Sequence, residues 1–168
     1  MVCCQKLAVA LAVAVTRLSL AAWVGGATLF VITSIAEQRH STFDSVIRDQ
    51  LATLRFPQYY VFGAVCLSTA LISGGIGALL STGGVRKRLV AASLLTLLSS
   101  GIAIVDYGFV YSPLQSLIVP PGKSRSQEFM VLHDRSRLIN EIHLSIALLA
   151  AVVICIPEKE KLTGVVAE

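Results

Sequence analysis

Charge is scarce in this chain. Only 14% of its 168 residues are Asp, Glu, Lys or Arg, where an ordinary soluble domain carries about 25%. Too little charge is present to cover a water-facing surface. Cysteine is also thin: four residues, at positions 3, 4, 66 and 155, with no CxxC or CxxH spacing. Neither a disulfide framework nor a zinc site is signalled. Cys66 and Cys155 fall inside apolar runs, where a thiol acts as a small apolar side chain. No nucleophile elbow, HExxH or glycine-rich phosphate loop occurs, so the chain reads as no enzyme and no cofactor is indicated. No basic stripe with interleaved aromatics occurs either. The net charge of +4 is therefore assigned to membrane lipid headgroups and not to nucleic acid.

Apolar residues are abundant: 55% of the chain, with a mean hydropathy of +0.76. A spanning helix needs about 20 such residues. The runs predict four spans, at about 14–36, 59–80, 89–111 and 136–156, in one membrane domain covering 1–168. The fold class expected is all-α, an integral membrane four-helix bundle. In the first run Leu18–Ile35 alone reaches about 27 Å, which leaves Arg17 to snorkel at one interface. Leu7–Val15 either extends this helix or lies along the membrane, with a signal peptide headed by Lys6 as the competing reading. Trp23, Gly25 and Gly26 mark a face for close packing.

Between spans one and two, Phe43, Val46, Ile47, Leu51 and Leu54 recur at near-helical spacing. They predict a short amphipathic helix on the membrane surface, capped by Ser41 or Thr42. Pro57 then suits the first turn of span two, and Tyr59 and Tyr60 suit the headgroup level. Span two carries Gly63, Gly74, Gly75 and Gly77, a face fit for internal packing or for a homo-oligomer. Span three holds one ionisable residue, Asp106. An irregular loop with Pro120-Pro121-Gly122 follows over Ser112–Ser126.

Four spans put both termini on one side. Basic residues divide evenly, with Lys6, Arg17, Arg86, Lys87, Arg88, Lys159 and Lys161 on the terminal side. The short second loop concentrates three of them, and short loops weigh most in the positive-inside rule. Both termini are accordingly expected in the cytoplasm, with the protein in the cell membrane.

The most informative stretch is Gln127–Ile156. Its first half carries His133, Asp134, Arg135, Ser136, Arg137, Asn140, Glu141 and His143; its second half is apolar helix. His133, Ser136, Arg137 and Asn140 share one helical face. Arg137 can pair with Asp134 and with Glu141 along the helix. Together with Asp106, Tyr59 and Tyr60 these residues form the candidate polar cluster: Tyr59, Tyr60, Asp106, His133, Ser136, Arg137, Asn140 and Glu141. Three readings compete. The cluster fixes helix packing, with Asp106 paired to Arg137 or a histidine; it binds or transports a small molecule or ion; or histidines at 40, 133 and 143 hold a metal or haem. His133 and His143 lie almost three turns apart, too far to share one metal on a straight helix.

Trp23-Val24-Gly25-Gly26, Phe56-Pro57-Gln58-Tyr59-Tyr60 and Phe129, His133, Ser136 and Asn140, in that order on four spans, resemble the transmembrane protein 205-like family (domain of unknown function 4149). The resemblance spans about residues 8–156. It implies a four-helix membrane domain, no established reaction, and a last-helix histidine and asparagine matched here by His133 and Asn140. It points to export or membrane traffic as a class of function. A looser likeness to copper-resistance membrane proteins rests on the tryptophan–glycine motif, but this chain has only Met1 and Met130 to offer copper.

Overall fold

The computed structural model describes residues 2–157. They fold as α1 (Val2–Arg39), α2 (Ser45–Leu80), α3 (Gly83–Asp106), a π-helical stretch (Tyr107–Tyr111), α4 (Ser112–Ser116) and α5 (Gln127–Cys155). Among the described residues four helices are long and apolar enough to cross a membrane, the third running from Gly83 through Ser116. Contacts run from α1 to α2, α2 to α3, α3 to α5 and α5 back to α1, which closes a ring of four rods. The outward faces are apolar, with Leu79 84% and Phe109 76% exposed. A solvent that is itself hydrocarbon makes such exposure favourable; in water it would drive aggregation. This is a multi-pass membrane protein.

Lipid is as apolar as a leucine side chain, so helix association here depends on close packing and cross-helix hydrogen bonds. The interior is accordingly built on small residues: Ala27, Ala70, Ala92, Ala147 and Ala150 are all buried. A β-carbon at Gly63 would stand 2.7 Å from the Trp23 ring, and one at Gly77 would stand 3.0 Å from Ala12. Gly63 and Gly77 thus serve contacts inside the bundle, as does Gly74 beside Ser93 and Thr16. Gly75 alone of the span-two glycines has open space around it.

At the end where α1 begins, side chains answer the carbonyls that finish α2 and α5. Gln5 Nε2 donates to Leu80 O at 2.9 Å, Arg17 Nε donates to Ile154 O at 3.0 Å, and Arg88 reaches Ile156 O. The last turn of a helix has no internal donors for these oxygens, and its dipole favours a cation there. Arg17 therefore has a defined partner beyond snorkelling.

Four local expectations are revised. The amphipathic helix before span two exists, but it is the start of α2 and not a separate element. It is capped by Asp44, whose side chain accepts from Ile47 N–H at 2.9 Å; Thr42 binds His40 Nδ1 instead. Pro57 accordingly sits inside α2. A proline removes one intrahelical donor, and here the flanking turns are held from outside by Arg55, which ion-pairs with Glu37 and donates to Ser34 Oγ at 2.9 Å. At the other revision, the third span continues through the π stretch into α4, with Pro113 in its first turn. Part of the expected loop is helix. Leu7–Val15 extends α1 without a break.

Candidate functional site

Asp106 closes α3, seventeen residues after Leu89, which is about 26 Å along the axis. It is 1% exposed. Its Oδ2 gathers three donors from two other helices: Tyr60 OH at 2.5 Å, Asn140 Nδ2 at 3.2 Å and Ser136 Oγ at 3.5 Å. Ser136 and Asn140 lie one turn apart on α5, so one face presents both. Asn140 Nδ2 also donates to Ser136 O at 2.8 Å, which fixes the amide's orientation. Its Oδ1 then accepts from Tyr59 OH at 3.0 Å and lies 3.1 Å from His143 Nε2.

The network continues downward. His143 is buried, and its ring stacks on Trp23 with centroids 5.7 Å apart. Trp23 also meets Tyr59 at 5.0 Å. Ser99 Oγ donates to the His143 carbonyl at 2.9 Å. All four long helices therefore meet along one column, from Trp23, Tyr59 and Tyr60 across to Ser99, Asp106 and α5. Above it, Tyr111 packs on Tyr60 at 4.7 Å and on Phe56 at 5.7 Å.

Two features stand out chemically. Among the described residues no Lys, Arg or His side chain reaches Asp106 within ion-pair distance. Its Oδ1 is buried without a hydrogen-bond partner, as are the Tyr111 hydroxyl and Trp23 Nε1. A buried carboxyl left with one bare oxygen and no basic neighbour is costly in a low-dielectric medium.

Of the eight candidate residues, the structure gathers Tyr59, Tyr60, Asp106, Ser136 and Asn140. It leaves three outside. Arg137 and Glu141 are each 67% exposed, their side chains 3.9 Å apart, with Asp134 also 3.9 Å from Arg137. The expected pairing of Asp106 with Arg137 does not form, because Ser136 turns inward and its neighbour Arg137 turns out. His133 is exposed and stacks on Phe129 at 5.7 Å. Hence the face of His133, Ser136, Arg137 and Asn140 divides: its i, i+4 pair Ser136 and Asn140 is buried or half-buried, and its edges are exposed. His143, Ser99 and Trp23 belong to the column. The sign of His143 in the sequence is spacing: it follows Asn140 by three and Ser136 by seven.

A partly buried ion pair lies above the column. Asp49, on the first part of α2, is 1% exposed; its Oδ1 pairs with Arg125 and its Oδ2 accepts from Gly122 N–H at 2.8 Å. Sequence pattern did not mark it, because a lone aspartate in an amphipathic stretch reads as solvent-facing.

Comparison of the chain with protein-family models, curated proteins and solved structures gives no match.

Proposed function

We propose that the column around Asp106 is a small-cation site, the proton included, in a membrane module that binds or moves an ion. The observation that carries this reading is the buried carboxyl with no basic partner: three neutral donors hold Oδ2, and Oδ1 has none. An ionised carboxyl at this position needs a cancelling charge, and no described Lys, Arg or His side chain supplies one. Intramembrane carboxyls of this kind mark ion and proton paths. Tyr60 and Asn140 hold the carboxyl in one orientation, while Tyr59 and His143 position Asn140. We place the site on the non-cytoplasmic side, following the loop-charge asymmetry, and retain the transmembrane protein 205-like resemblance as a proposal of kinship.

The second reading is that the column only fixes helix packing. Its support is that Tyr59, Asn140 and His143 satisfy one another without any ligand. Infrared difference spectroscopy of the purified protein separates the two. Changing pH, or exchanging sodium for potassium, should shift a carboxyl band that Asp106→Asn abolishes. A spectrum unchanged by pH and by either ion would leave packing as the column's role.

A further inference from the structure

Asp106 is 1% exposed in this structure, and the segment above it is bolted down. Residues 117–126 join the helices that carry Asp106 on one side and Ser136 and Asn140 on the other, so they cross above the column. Asp49 fastens them. It stands eleven residues before Tyr60 on α2, about 16 Å higher and on nearly the same helical face. From there it holds the Gly122 N–H and the Arg125 guanidinium together. Arg125 in turn lies over the Phe129 ring at 4.4 Å, which ties the strap to the first turn of α5. Gly122 has a φ of +87°, a backbone region that favours glycine, and it presses against Val46 of α2. Ile118 of the segment itself is buried, as is Tyr111 in the π-helical stretch before it.

We propose that residues 117–126 are a strap across the mouth of the Asp106 column, and that the contact of Asp49 with Gly122 and Arg125 is the latch that must release before Asp106 meets the aqueous phase. The inference rests on Asp106 being the residue that exchanges with solution. It adds the route and the control. Several features suit a latch. The anchor is a single buried carboxylate, so losing one residue removes the hold on both Gly122 and Arg125. Arg125 remains partly exposed, so water can compete for it while Asp49 stays fixed on a rigid helix. The fastening lies at the far end of α2, clear of the column itself, so it can open without disturbing Tyr60.

The test uses the full chain in nanodiscs and a water-soluble carbodiimide, with labelled carboxyls located by peptide mass spectrometry. In the native protein Asp106 should label at least tenfold more slowly than exposed Asp134 and Glu141. Arg125→Gln and Asp49→Asn should each speed Asp106 labelling about tenfold and leave Asp134 unchanged. A reversible variant guards against misfolding. A β-carbon at Gly122 would lie 3.9 Å from that of Val46, a separation that suits a disulfide. Val46→Cys with Gly122→Cys, in a chain with Cys3, Cys4 and Cys155 changed to Ser, should label slowly when oxidised. When reduced it should label fast, since a side chain at 122 disfavours the strap's backbone. Equal Asp106 labelling in the oxidised and reduced forms, or native labelling as fast as at Asp134, overturns the strap. Labelling needs no cation, so this result stands apart from the infrared test: a silent spectrum with a strong oxidised–reduced contrast would reject the cation site and keep the strap.

Discussion

Replacing Gly63 by alanine should loosen the bundle at its centre. The added methyl would stand 2.7 and 2.8 Å from Cζ3 and Cη2 of Trp23, where nonbonded carbons rest at about 3.5–4.0 Å. Something must move by roughly 1 Å. The indole has little room to retreat: Tyr59 lies at 5.0 Å, His143 at 5.7 Å and Phe62 at 6.3 Å between ring centroids. Pushing it toward His143 strains the 3.1 Å contact of that ring with Asn140. Moving α1 from α2 instead loosens the small-residue contacts at Gly74 and Gly77 along the same seam. Overpacking of a filled core costs about 1–3 kcal/mol, and alanine's better helix propensity returns up to about 1 kcal/mol. With the full propensity gain the net loss is about 0–2 kcal/mol, and because Gly25→Ala shares that gain, Gly63→Ala should fall about 1–3 kcal/mol below it. Trp23 is the chain's sole tryptophan, so its fluorescence reports unfolding by sodium dodecyl sulfate from the affected spot. Gly25→Ala is the control, since nothing lies within 4 Å of its added carbon, and it should be neutral or slightly stabilising. Equal stability of the two variants would refute the claim that Trp23 is wedged against Gly63.

Further outcomes can be checked with the same unfolding assay. In a double-mutant cycle, Tyr60→Phe and Asp106→Asn should couple by about 1 kcal/mol or more, whereas Arg137→Ala and Asp106→Asn should add within about 0.5 kcal/mol. Coupling in the second pair would restore the ion pair that the structure lacks. Arg137→Ala alone should change stability by less than about 0.5 kcal/mol, as expected of an exposed pair. Arg125→Gln should cost about 2 kcal/mol, the worth of a hydrogen bond to a charged group, because Asp49 stays buried with only the Gly122 N–H. A loss below about 0.5 kcal/mol would mean that water replaces the guanidinium at no cost.

The chain's pattern of long apolar runs was enough to read the membrane and the number of long spanning helices. Residue type and helical period decide those locally: a spanning segment must satisfy its backbone within itself, so few solutions exist. The same periodicity put Ser136 and Asn140 on one face of the last helix, where they are found. Partner choice was beyond it. Opposite charge pairs Asp106 with Arg137 or a histidine, yet the rotation of α5 turns Ser136 and Asn140 toward it and Arg137 toward the outside. A rotation of a rod about its axis depends on which small residues let it approach its neighbours. That is a property of four helices together. Asp49 shows the same limit: its spacing resembles that of any solvated aspartate, and only the folded loop brings Gly122 and Arg125 onto it. Composition and period thus determine what enters the bilayer and how often. Close packing between helices decides which polar atoms meet, because a hydrogen bond depends on ångström distances between residues far apart in the chain.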